Sequence, residues 1–334
     1  MEGRTFKHLT PEQVDSFMKH GYLRIPGCFT REVAEEWTKN VWVRLGFDPK
    51  DPETWTTERT NMPSHEEVAI KDFAPKAYDA ICELVGGEDR ITEPSKVWKD
   101  SFIVNLGTKE HFGQEAHPKE LTGWHVDGDF FVHFLDSPEQ GLLVIPLFTD
   151  ILPNGGGTWI CSEGVEKIGK YLYEHPEGVL PRMTPIGGGS KNYEDGLEYY
   201  NTLVQSCAES SFHEMTGSVG DVILLHPLML HSASKNGRRL PRIITNPPVS
   251  LVEPFNFDRE DESQYSLVEL KTIQDIGGQE KLRGWKIQGK RAEVVPERVR
   301  RQARMLEEEK RRLKERELQA EQTQTQLPRP VPVA

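Results

Sequence analysis

The sequence contains no apolar run approaching the roughly eighteen residues that a membrane-crossing helix needs. Its first residues, Met1 to His8, lack the apolar segment of a secretory leader, and its last, Pro-Val-Pro-Val-Ala334, are not a peroxisomal address. The cytoplasm is therefore the expected location, with no membrane partner. Cysteine is scarce: Cys28, Cys82, Cys161 and Cys207 are scattered and form no CxxC pair. That spacing argues against a structural zinc site and against a disulfide framework, and reads as isolated reduced thiols. Positive charge is short as well, with 41 Lys and Arg against 53 Asp and Glu and a net charge of −12. The last 44 residues carry eleven basic and eight acidic side chains, a balance of +3, which leaves −15 for the rest. An acidic body lacks the clustered cations that nucleic-acid backbones require, so no nucleic-acid partner is expected. Oligomeric state is not set by composition.

What is present suits a large globular domain. Although only 36% of residues are hydrophobic, the chain carries seven Trp and fourteen Phe, unlike a disordered polymer. Thr10-Pro11-Glu12-Gln13 reads as a capped helix start, Val14, Phe17 and Met18 lie on one helical face, and Gly21 closes the helix. A short strand at 22–25 and a helix over 30–45 follow. Residues 47–66 read as a surface loop, and 74–85 as a helix ended by Gly86-Gly87.

From Lys96 the pattern changes to short strand-like runs at 97–106, 122–127, 142–148, 158–161, 222–225, 229–232 and 242–245, with a helical insertion over 165–174. Such spacing predicts a sandwich or barrel. The triple glycine at 187–189 has no following Lys-Ser/Thr and no strand-to-helix frame, so it predicts a loop rather than a phosphate cradle. Residues 296–321 predict a charged helix with one apolar seam, Val299, Leu306, Leu313 and Ala320, solvated and lightly docked; Gln322 to Ala334 predict disorder. The expected division is one domain over 1–290 and a charged helical and disordered tail over 291–334.

The chemistry lies in His125-Val126-Asp127 and the segment around His231. On a strand, residues i and i+2 share a face, so His125 and Asp127 can point at one spot. With a distant histidine, the set becomes two imidazoles and one carboxylate, the facial triad of non-haem Fe(II) sites that leaves positions open for O2. The downstream segment offers His226 and His231, five apart and so on opposite faces of an uninterrupted strand. Pro227 weakens that parity, but His231 lies nearer the turn, where sites are built, and is taken as the third ligand. His226 is assigned a structural role, as is His133. Trp124, Phe130, Phe131 and Trp159 are assigned to packing.

Three segments resemble the phytanoyl-CoA dioxygenase family of Fe(II)/2-oxoglutarate oxygenases. They are the opening from Leu9-Thr-Pro-Glu-Gln to Gly21-Tyr-Leu-Arg-Ile-Pro-Gly, then Trp124-His125-Val126-Asp127, then Gly220-Asp221-Val to Leu230-His231-Ser-Ala-Ser-Lys-Asn236 and Pro241-Arg242. The resemblance spans residues 9 to about 250. It implies a mainly β fold with flanking helices, a double-stranded β-helix (jelly-roll, cupin-like) core, and a dioxygenase using Fe(II), 2-oxoglutarate and O2 on a small organic metabolite. It implies His231 as the third ligand and Arg242 as the anchor for the cosubstrate's far carboxylate, a role suited to a guanidinium fork. The presence of Asp127 favours oxygenation over halogenation, since iron halogenases of this fold carry a small residue there. Asn246 shares the strand face of Arg242 and is a candidate hydrogen-bond donor to cosubstrate or substrate. Asn105 reads first as a polar residue of the sheet face, with a cosubstrate contact as the alternative. A metal-dependent hydrolase or isomerase on a cupin-like barrel, or a binder without turnover, shares the ligands but has no use for 2-oxoglutarate.

Overall fold

A computed structural model describes residues 5–186 and 197–325. The triple glycine at 187–189 and residues 326–334 of the tail lie outside the described residues. The chain combines helices with antiparallel sheets, and more residues lie in helices than in strands, so it is less β-rich than the sequence predicts. No helix of the described residues is long and apolar enough to cross a membrane.

Two sheets frame the centre. One runs Tyr22–Ile25, Val222–Leu225, Leu142–Pro146, Pro248–Val249, and the other Phe212–Met215, Thr158–Cys161, Leu230–Ala233. Within the first, Leu23, Leu224 and Val144 are cross-strand partners and share one face, while Ile223 and Ile145 share the other. The first set joins the helical core with Phe17, Leu84 and Ile273, and the second packs with Ile160, Met215 and Ile244 between the sheets. Coverage on both faces explains why these strands are apolar throughout rather than alternating. A third sheet, Arg242–Ile244, Ile103–Asn105, Arg59–Asn61, adds Ile103 and Ile244 to the inter-sheet core.

The first helix, Pro11–His20, forms as its caps dictate. The Thr10 hydroxyl accepts from Gln13 N, the Gln13 side chain accepts from Thr10 N, and Gly21 turns left-handed at φ 73°. The expected 30–45 helix is broken into Arg31–Thr38 and Val41–Leu45. The Thr38 hydroxyl donates back to Ala34 O at 2.8 Å, a bond that bends helices at their ends. The expected loop over 47–66 contains the Arg59–Asn61 strand, which has no apolar residue to announce it. The run at 97–106 divides into Val97–Lys99 and Ile103–Asn105, where Asp100 turns aside to accept from His65 N and Glu66 N and to pair with Arg44.

The charged C-terminal helix, Glu297–Thr325, is not lightly docked. Glu309 is buried and accepts from Arg44 Nε at 2.8 Å, with His65 Nε2 at 2.9 Å, and Arg44 also bonds Asp100 and Pro63 O. A single acidic residue in a charged helix gives no hint in sequence that it will be the buried one.

Candidate metal centre

The backbone first brings the histidines together. His125 N donates to His231 O at 3.0 Å and His231 N to His125 O at 2.9 Å, one antiparallel bridge at the edge of the Leu230–Ala233 strand. The predicted strand at 122–127 does not form beyond this bridge. Gly128, at φ 115°, turns the chain away directly after Asp127. The expected meeting of His125 and Asp127 therefore comes from a bridge followed by a turn, not from strand parity.

Each ring is oriented by a carbonyl. His125 Nδ1 lies 2.7 Å from Gly123 O, and His231 Nδ1 lies 3.0 Å from Met229 O. A carbonyl can only accept, so each Nδ1 carries a proton and Nε2 is the atom each ring turns to Asp127; a neutral ring would offer the Nε2 lone pair to a metal. Both Nε2 atoms face one oxygen: Asp127 Oδ1 lies 3.4 Å from that of His125 and 3.5 Å from that of His231. The other oxygen, Oδ2, accepts from Asn246 Nδ2 at 3.2 Å. One ligand atom from each of the three residues lies within 4.8 Å of the others. Two ligands about 2.1 Å from a metal and at right angles to each other lie about 3 Å apart, so the spacing suits one ion held on one face. His231 keeps 8% of its side chain exposed and His125 keeps 36%, so the open side is at His125. Burial alone would raise the Asp127 carboxyl, but the charge and hydrogen bonds of the two imidazoles outweigh it and hold the group well below the usual carboxylate range. Burial alone would lower His231, and Asp127 outweighs it and raises the ring.

Arg242 faces the same interior. It shares a strand face with Ile244, which is in the inter-sheet core, and Thr158 shares one with Ile160, the cross-strand partner of His231. Arg242 Nη2 donates to Thr158 Oγ1 at 2.7 Å. Among the described residues, its buried Nε and Nη1 have no hydrogen-bond partner and no carboxylate pairs with it. Burial pushes this guanidinium down to about 9, with the nearby Arg59 adding to the effect. A buried cation with unused donors is a place for a carboxylate from outside the chain.

The remaining expected residues fall as follows. Asn105 is the cross-strand partner of Arg242; its amide donates to Ser234 O and accepts from Gly107 N. Asn246 holds Asp127, a contact not foreseen in sequence. His226 is buried; its Nδ1 accepts from Leu228 N and its Nε2 donates to Thr272 Oγ1, so it has no lone pair to spare. His133 is buried against Gly128 O. Trp124 is buried, donating to Pro118 O and packing on Phe212. Thr158 was missed in sequence, because a threonine on a strand gives no signal of binding. So was Asp129, held by Arg298 from the C-terminal helix.

No protein-family model matches the sequence, and no curated protein matches it. Among solved structures, it is similar to GlcNAc Inducible Gene 2, a DUF1479 protein from Candida albicans, with 10% identity and a TM-score of 0.42 over 73% of this chain and 64% of that one. It is similar to HygX from Streptomyces hygroscopicus, solved with nickel and 2-oxoglutarate, with 14% identity and a TM-score of 0.41 over 77% of this chain and 94% of that one. It is also similar to the hypothetical protein JW0805 from Escherichia coli, with 13% identity and a TM-score of 0.44 over 81% and 82% of the two chains. The chain thus spans less than two thirds of the Candida protein's length.

Proposed function

We propose that this chain is an Fe(II)- and 2-oxoglutarate-dependent dioxygenase that oxidises a small organic molecule, built on a double-stranded β-helix and related to phytanoyl-CoA dioxygenases. The observation that carries the reading is the pairing of two features: three convergent ligands, and a buried Arg242 whose Nε and Nη1 have no partner. A hydrolase or isomerase site accounts for the first and leaves the second unexplained.

His125, Asp127 and His231 would hold Fe(II). When bound, the metal supplies O2 activation coupled to decarboxylation of 2-oxoglutarate to succinate and CO2. The protein's own side chains supply position. Gly123 O and Met229 O fix the tautomers of the two rings. Asn246 occupies one Asp127 oxygen and so aims the other at the rings. Thr158 takes one N–H of Arg242 Nη2, leaving Nη1 to donate to the far carboxylate of 2-oxoglutarate. Asn105 lies beside Arg242 and would line the cosubstrate. The substrate would approach from the His125 side. The cytoplasm suits the reduced thiols this reading assumes.

The test is succinate formation by iron-loaded protein with 2-oxoglutarate in air. We expect succinate above the protein-free rate, lost in His231→Ala. No succinate with any candidate substrate, together with no bound iron, would contradict the proposal.

A further inference from the structure

The carboxylate ligand Asp127 is held by less backbone structure than the histidines. His125 and His231 are tied by a two-bond bridge, but the chain leaves that ladder at Val126 and turns at Gly128. Backbone pairing resumes at 130–132, and the partner there is the C-terminal segment. Val132 N donates to Ala292 O at 2.9 Å, Val294 N donates to Phe130 O at 2.8 Å, and Phe131 bridges Glu293. Three residues after this pairing the C-terminal helix begins, and its Arg298 reaches back to the turn. Arg298 Nε donates to Asp129 Oδ2 at 2.5 Å and Nη2 to Asp129 Oδ1 at 2.7 Å, a two-pronged clamp on the second residue after Asp127. The helix is in turn locked to the body by Glu309 on Arg44 and by Arg312 Nη1 on Arg44 O. Arg291 adds a pair with Asp136 on the far side of the 130–132 run.

We propose that Arg298 is a positioning residue for the metal centre: by clamping Asp129 it holds the Gly128 turn, and with it Asp127, where the carboxylate meets both imidazoles. The C-terminal helix is then part of the site's support. This rests on the proposed reading of the three residues as metal ligands, though not on any reaction.

An isolated half-exposed ion pair contributes little to stability, so a merely structural Arg298 would be nearly silent on removal. A positioning role shows instead in metal affinity, where partners that orient ligands carry about 10- to 100-fold effects. The experiment is anaerobic Co(II) titration of the full chain by visible absorption, with the thermal midpoint measured beside it. Arg298→Ala is expected to weaken Co(II) binding about tenfold with little change in midpoint, and Arg298→Lys to recover part of the loss. Asp129→Asn should weaken binding similarly, and the double variant should weaken it no further than either single one. Val294→Pro, which removes the backbone donor to Phe130 O, should weaken binding too. Arg311→Ala, on the exposed side of the same helix, should leave affinity unchanged. Equal Co(II) affinity in wild type and Arg298→Ala would overturn the positioning role alone. So would additive losses in the double variant, or a loss that only tracks a lowered midpoint. A wild-type chain that binds no metal would overturn this inference and the proposed function together.

Discussion

Arg242 is defined by what surrounds it. A buried guanidinium without a carboxylate partner is costly, and the cost is offset only if an anion arrives. Lysine in its place offers a point charge rather than a fork. Arg242→Lys should therefore weaken 2-oxoglutarate binding by about tenfold to a hundredfold, the range for losing hydrogen bonds to a charged group, while leaving metal affinity unchanged; calorimetry with each ligand in turn checks this. A second expectation concerns the histidines outside the site. Burial pushes His226 down to about 3, helped by Lys271, and pushes His133 down to about 4. Both rings are neutral when folded and free to protonate when unfolded, so the unfolded state takes up more protons as pH falls below about 6.5. Stability should then fall on acidification from pH 6.5 toward 4, by up to about 1.4 kcal/mol per pH unit for each ring. Urea denaturation at pH 7 and pH 5 measures the slope, and His226→Gln should flatten it by removing one titrating group. At this scale much was legible in sequence. His125, Asp127 and His231, expected to meet, do lie together, Arg242 is buried, and His226 is taken up by Leu228 and Thr272. The partners Thr158 and Asn246 depend on contacts 84 and 119 residues away in sequence, which a linear pattern does not carry.

At the scale of elements, sequence patterns held where local chemistry decides and failed where distant contacts do. The capping box at Thr10 and the strands Thr158–Cys161 and Val222–Leu225 form where the pattern puts them. The Arg59–Asn61 strand exists only because Ile103–Asn105 offers it an edge, and the strand expected at 122–127 yields to the turn at Gly128. That turn has little room for a side chain. A Cβ at Gly128 would lie 2.6 Å from atoms of both His133 and Phe131, at a φ that other residues rarely adopt. Gly128→Ala should cost on the order of 1–3 kcal/mol and weaken metal binding, read from urea denaturation and Co(II) titration of the same variant. The C-terminal helix gives a separate test. Glu309→Leu leaves Arg44 buried with Asp100 as its remaining carboxylate, and unfolding should show a loss of about 1–3 kcal/mol.

For the whole molecule, the arrangement is a pair of antiparallel sheets with a small apolar core between them, backed by helices that bury the outer face of one sheet. The candidate site opens from that inner space. The proposed reading makes the two ends of the site interdependent, with a metal at His125, Asp127 and His231 and an anion at Arg242. The most direct measurement is anaerobic titration of the protein with Fe(II) and 2-oxoglutarate, followed by visible absorption. We expect a charge-transfer band that needs both components, saturates at one equivalent of each, and disappears in His231→Ala and Arg242→Met. Metal binding with no band and no dependence on 2-oxoglutarate would contradict the proposed reading.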